Sequence, residues 1–433
     1  MSLGSRKGVR LAQESLSGEY IAEDAPHWKA EPFIPITAAE LKSVLLAHPL
    51  AAAQADHLHR VFESLTSILN HDYRNLHQQL ETHYSVLDPD RDLKLLTEPT
   101  DAQCDASLRH MRGYLHDLLR AANFTQLDQQ QIRGAIQTSS DWGVRLQINF
   151  DIFESIDVYA RGDIVGMRTR RLWKSYWKMS EMEVPIYQRL VAVFKLKPDA
   201  KLVGAHAGGQ YHRDRLHLSM FKNIPQADVD MLLPGSSIRF SWLDRTKIFA
   251  PTLGGIGVTV FKILRGAVVI AATGLAAVMG VAVLAIGIIG YAVRSIVSYF
   301  HTKDKYLLNM TRSLYYQKLD SNAGVIYRLL QEARQQDLLE SIVVYFILAT
   351  SDEPMSEAAM CKRVELLLKD LLAIEIRFDP YSAMKRLHRL GIVLDGGGDT
   401  VSVLSPETSV RQLDHYWDNL MSIDRATPSE SGQ

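Results

Sequence analysis

Apolar positions recur at intervals of three and four between 58 and 84, where Leu58, Phe62, Leu65, Leu69, Tyr73, Leu76, Leu80 and Tyr84 trace one stripe. That spacing predicts a long amphipathic helix. LDPDRD at 87–92 stops it, and Leu108, Met111, Leu115 and Leu118/Leu119 mark a second helix that returns antiparallel to the first. From 146 to 249 the pattern changes. FESIDVYARGD, VPIYQRLVAVFKLK, DRLHLSMFKN and SSIRFSWLD are β-branched and aromatic runs of strand length, bounded by Gly, Pro and Asp. IPQADVDMLLPG at 224–235 predicts a short helix opened by Pro225 and closed by Pro234-Gly235.

The stretch GAVVIAATGLAAVMGVAVLAIGIIGYAV at 266–293 holds no charged or amide side chain. As one helix it would span about 42 Å, against a hydrocarbon core of about 30 Å. A buried helix of that length, apolar on every face, is rare in a water-soluble fold, so the block predicts membrane insertion. One tilted helix fits the length. Lys247, Lys262 and Arg265 precede it, however, and Arg294, Lys303, Lys305 and Arg312 follow it. A hairpin turning near 273–280 puts all of these charges on one side, as the positive-inside rule favours. In that hairpin Lys262, Arg265 and Arg294 snorkel, and Gly274, Ala276, Gly280 and Gly287 let the two arms approach closely.

Beyond the block, KYLLNMTRSLYYQKLD, NAGVIYRLLQEARQQ and LLESIVVYFILAT read as three helices, the last apolar over too few residues to span a bilayer. The end reads helix from Ser356, helix from Asp379-Pro380, then strand, GGGD turn and return strand. The expected fold class is therefore an α+β membrane protein. It has a flexible tail (1–30), an N-terminal helical hairpin (31–145), a small α+β domain (146–250) and a transmembrane helical hairpin (251–300). C-terminal helices (301–350), a winged-helix-like domain (351–425) and a short tail (426–433) complete it.

Several segments carry a likeness: FIPIT near Phe33, LDPDRD, FKNIPQADVDMLLPG, LDRTKIFAPTLGGIG and DKYLLNMTRSLYYQKLDSNAGVIYRLLQEA. They resemble the transmembrane protein 143-like family, grouped as domain of unknown function 3754. The resemblance runs from Phe33 to about Trp417, and LLPG and SLYYQKLDSNAGV are its most specific parts. It implies two adjacent membrane spans and, for animal members, a mitochondrial site. It brings no established activity and no catalytic residues. The N-terminus lacks a long Arg-rich extension, so a bacterial inner membrane is the favoured location, and a mitochondrial membrane if the source is eukaryotic.

Composition changes this picture little. With 48 Lys and Arg against 49 Asp and Glu, the chain lacks the basic excess of a dedicated nucleic-acid binder. Cys104 and Cys361 stand far apart and outside any Cys/His cluster, which argues against a disulfide framework and a structural zinc site. No histidine pair has metalloenzyme spacing, and GAHAGG, GGIG and GGG lack the setting of a phosphate loop. No catalytic residue, metal or cofactor is expected.

The most informative polar motif is RTRRLWKSYWK at 168–178. Arg168, Arg170, Arg171, Lys174 and Lys178 would attract anionic head groups, and Trp173 and Trp177 favour a bilayer interface. The same composition could hold a single-stranded nucleic acid, or be an ordinary solvated loop. At the winged-helix end, Lys385, Arg386 and Arg389 lie on the second helix, where a DNA reader would need them. Yet from 355 to 420 acids outnumber Lys and Arg by ten to eight, which favours a protein partner over nucleic acid. The expected function is that of a membrane-anchored interaction or scaffolding protein whose partners are the bilayer, an anionic lipid and a protein at the winged-helix end. The alternative is an enzyme acting on a lipid or small membrane-proximal substrate through 146–250.

Overall fold

The computed structural model describes residues 19–20, 30–92, 94, 96–128, 145–171, 179–200, 211–226, 229, 232–234, 236–239, 290, 293–294, 297, 301, 316–351, 353–373, 375–396 and 400–420. Strand β1 (Glu19–Tyr20) precedes α1 (Ala38–Ala47), α2 (Ala55–Tyr84) and α3 (Asp101–Ala121). Thr37 opens α1 and Thr100 opens α3, each through a reciprocal capping box with Glu40 and Gln103. Thr37→Ala is expected to cost about 1 kcal/mol, measurable by denaturant unfolding, because it leaves a helix-end donor without its acceptor.

Strands β2 (Thr125–Gln126), β3 (Arg145–Ile148), β4 (Phe153–Arg171), β5 (Met179–Leu196), β6 (Leu216–Pro225), β7 (Ser236–Arg239) and β8 (Lys318–Ser321) follow. An antiparallel sheet runs β1-β4-β5-β6-β8, with β2 also on β4, while β3 and β7 pair separately. The run LVAVF in β5 is continuously apolar because the sheet is covered on both faces. Val191 and Val193 join Tyr159, Leu218 and Met220 beneath the helices, whereas Leu190, Ala192 and Phe194 join Phe153, Phe221 and Leu233 on the opposite side.

The chain ends with α4 (Ala323–Ala349), β9 (Met355–Ser356), α5 (Glu357–Leu372), α6 (Tyr381–Arg389), β10 (Val393–Asp395), β11 (Thr400–Val403) and α7 (Pro406–Asp418). β10, β11 and β9 form a three-stranded sheet beside α5 and α6, giving a helix–helix–wing unit. Two long helices tie the molecule together. The first part of α4, Val325 to Ala333, packs with Leu80 and Tyr84 of α2, with α3 and with the sheet. Its second part, Leu338 to Leu348, packs with Leu58, Phe62 and Leu65 of α2, with α1 and with Met360, Val364 and Leu387 of the C-terminal unit.

Among the described residues no helix is long and apolar enough to cross a membrane. For the described residues this corrects the expected membrane fold and the multi-pass placement in a bacterial inner or mitochondrial membrane; the expected hairpin itself falls mostly on residues outside those described. The described fold is mixed α+β, with seven α-helices whose apolar faces turn into protein cores. Residues 251–289, including Lys262, Arg265, Gly274, Ala276, Gly280 and Gly287, lie outside the described residues. Arg294 is helical and exposed.

Two further readings change. Lys318–Ser321, expected as helix, is strand β8, because it completes the hydrogen bonding of β6 through Ser219, Met220 and Phe221. The two helices expected over 322–350 are one, α4. The polar stretch that broke the apolar pattern, from Glu332 to Ser341, is no break: its side chains are hydrogen-bonded inside the protein.

Candidate functional site

The basic-aromatic motif begins in the last residues of β4, and its residues 172–178 lie outside the described residues. Strands β4 and β5 pair from Phe153↔Leu196 to Arg171↔Met179, while β6 accompanies β5 only as far as Ile186↔Pro225. The pair therefore continues past β6, and Arg168, Arg170 and Arg171 occupy the final residues of β4. On its other edge, β1 pairs with Met167 and Arg168. Trp173, Lys174, Trp177 and Lys178 lie outside the described residues.

A second polar assembly sits where the sheet, the long helices and the C-terminal unit meet. Residues 30–37 cross this junction as an extended strap. The Glu31 carboxylate accepts from the backbone N–H groups of Gly162 and Asp163 at 2.7 and 3.0 Å. Gly162 has φ +77°, which directs these two amides to one acceptor. The Gln336 amide grips Ile34 by accepting from its N–H at 2.9 Å and donating to its carbonyl at 3.0 Å. On the other side of the strap, the carbonyl of Glu31 accepts from the N–H of Arg377.

Arg161, only 6% exposed, lies between the rings of Phe33 and Phe124. It pairs with Glu332 at 2.8 Å and donates to the Ala122 carbonyl at 2.8 Å. Farther along α4, Asp337 pairs with Arg386 of α6 and accepts from the Tyr73 hydroxyl at 2.6 Å. Arg386 also donates to Ser341 Oγ at 2.9 Å. Burial, followed by the Asp337 charge, holds the Tyr73 phenol well above its usual range. Arg161 with Glu332 and Arg386 with Asp337 are the ion pairs of this junction, and their joint effect is to lock α2, α4, α6 and the strap in one arrangement.

This arrangement engages two of the three cations that a DNA-reading α6 would need, Arg386 and Arg389. Arg386 turns inward to Asp337, Arg389 is bonded to Asp72 of α2, and Lys385 lies near the Tyr381 ring, which also carries Arg120. Sequence reasoning missed the junction because its members are scattered from Glu31 to Arg386. The one local signal was the density of polar residues between apolar turns of α4.

Two of the motifs carrying the family likeness meet in space. Asp90 of LDPDRD accepts from Asn322 Nδ2 at 2.5 Å, and Asn322 exchanges hydrogen bonds with Leu218. Asn322 takes φ +50° and ψ −122°, a sparsely populated backbone conformation outside the αL region, where β8 turns into α4. Asp88 is raised by burial and by its neighbours Asp90 and Asp92. Close by, His217 stacks on Phe194, bonds to the His212 carbonyl and is lowered by burial. His206 lies outside the described residues.

A cleft of about 600 Å³ opens between α1, α2 and α4, lined by Lys42, His59, Glu63, Thr66, Arg334 and Gln335 among others. Its lysine is held by Glu63 at 2.8 Å and Thr66 at 2.6 Å, and Arg334 bonds Asn70 and Gln331. Among the described residues no three His, Cys, Asp or Glu side chains converge as metal ligands. Cys104 and Cys361 are unpaired, and burial pushes the Cys361 thiol up to about 11, away from nucleophilic use.

These features define a mixed α+β protein in which an antiparallel sheet, a helical layer and a helix–helix–wing end are joined by one buried polar junction. Residues 187–324 match the family described as Protein of unknown function (DUF3754). The match runs from within β5 through β8 and ends just beyond Asn322. It lends no support to a closer link with transmembrane protein 143. No solved structure matches the chain.

Proposed function

We propose that this protein is an interaction or scaffolding protein that contacts an anionic surface through residues 168–178. The observation carrying this reading is the contrast between the filled body and the ends of β4 and β5, which pair with each other beyond β6. Both faces of the main sheet are apolar cores, and the two arginines of the central junction, Arg161 and Arg386, are paired internally with Glu332 and Asp337. Arg168, Arg170 and Arg171 instead lie at the end of β4, where β4 and β5 run past their neighbour β6. Phospholipid head groups suit that composition, since cations attract them and Trp and Tyr prefer the interface. A protein partner fits the C-terminal unit, where Leu366 of α5 and Leu394 of β10 are exposed while Arg386 of α6 faces inward and Arg389 is bonded to Asp72.

The test is co-sedimentation with vesicles of phosphatidylserine and phosphatidylcholine, compared with phosphatidylcholine alone. Binding is expected only to the anionic vesicles and is expected to weaken with salt. Removing three cations in Arg168→Ala/Arg170→Ala/Arg171→Ala should cost about 1 kcal/mol each, or roughly a hundredfold in affinity. Equal binding to both vesicle types, or no loss in the triple variant, would sink the proposal.

A further inference from the structure

Helix α4 carries two acids one turn apart, Asp337 and Glu340, each only 4% exposed. The Asp337 carboxylate uses Oδ2 for Tyr73 and Arg386, whereas its Oδ1 is buried without a hydrogen-bond partner. An acceptor buried in this way is rare in folded proteins and calls for a donor. Glu340 is the next acid along the same helix face, and among the described residues it forms no ion pair of its own. Its Oε1 accepts from Asn123 Nδ2 at 3.0 Å, and the guanidinium of Arg386 is committed to Asp337 and Ser341.

The groups facing Glu340 are Asp337 on α4, Arg386 on α6, Asp379 before α6, and the neutral Asn123 that follows α3; Tyr73 of α2 stands beyond Asp337. Burial, with Asp337 and Asp379, pushes Glu340 up to about 8, against the opposing pull of Asn123 and Arg386. A protonated carboxyl one turn from an unmatched carboxylate oxygen is a donor beside an acceptor.

We infer that Glu340 is protonated at neutral pH and donates to Asp337 Oδ1, so that one shared proton closes the junction between the central helix and the C-terminal unit. The sign of the pH effect follows. The stability supplied by the protonated form is complete below the ordinary carboxylate value of 4.5 and is lost as pH rises through about 8. Above that pH two anions share one guanidinium, and the hold of α4 on α6 weakens.

The full-length chain tests this through the infrared band of protonated carboxylic acids and through amide hydrogen exchange over 381–389. The band is expected near neutral pH, absent from Glu340→Gln, and lost in the wild type as pH passes about 8. In Asp337→Asn the midpoint should fall, because the neighbouring anion is gone. After correction for intrinsic base catalysis, exchange in α6 should accelerate about tenfold above the midpoint in the wild type and not in Glu340→Gln, whose amide still donates. No protonated band at neutral pH overturns the inference. An unchanged midpoint in Asp337→Asn overturns the sharing, and α6 exchange indifferent to the titration overturns the coupling to the C-terminal unit. If Asp337→Asn does not fold, the wild type and Glu340→Gln still decide the protonation and the coupling.

Discussion

Replacing Arg386 with alanine is expected to destabilise the protein by about 3–5 kcal/mol, the usual cost of leaving one partner of a buried ion pair alone. Arg386 and Asp337 have side chains 12% and 6% exposed, so water cannot readily replace the lost guanidinium. The same change removes the donors to Ser341 Oγ and the Asp337 carbonyl. Urea unfolding followed by circular dichroism measures the loss. Arg386→Met combined with Asp337→Leu should recover much of it, because the penalty comes from the stranded charge more than from the missing attraction. A loss below about 1 kcal/mol would mean that the pair behaves as a solvated surface contact.

Arg161→Met is expected to cost a similar amount, about 3–5 kcal/mol, by stranding Glu332. Methionine keeps an unbranched apolar side chain between Phe33 and Phe124, so most of the packing survives and the loss reports on the charge. Glu332 has a second cation, Arg189, at 3.9 Å, too far to replace a pair at 2.8 Å. A double-mutant cycle with Glu332→Gln isolates the pair; coupling near zero would show that Arg161 acts through its rings and the Ala122 carbonyl alone.

The sequence carried local periodicities well. Leu58, Phe62, Leu65, Leu69, Leu80 and Tyr84 are buried along α2 as their spacing predicted, and Met111, Leu115, Leu118 and Leu119 are buried on α3. In the described residues the strand-length runs overlap β4, β5, β6 and β7, because β-branched and aromatic residues suit a sheet. What could not be read depends on distant partners. Lys318–Ser321 has no strand periodicity of its own and becomes β8 only because β6 offers it an edge. The polar residues of α4 read as an interruption since their partners, Ile34, Asn123, Arg161 and Arg386, are spread over the chain. The membrane reading rested on the composition of one block, and the described helices contain no span. Of the candidate site, the basic-aromatic motif was legible as composition, whereas the junction required three dimensions.

The pairing of β6 with β8 has a consequence for how the chain is made. At about 5–20 residues per second, roughly 5–20 s of synthesis separate Pro225 from Lys318. Throughout that interval β6 remains an open edge, and the apolar faces of α2 and α3 await the first half of α4. A nascent chain of this protein therefore leaves the ribosome with its largest sheet and two of its cores incomplete. Completion waits for Asn322, the residue that turns β8 into α4. A message truncated before this point should yield a product that holdase chaperones retain and proteases clear, whereas a separately supplied 316–433 fragment should rescue it by docking in trans.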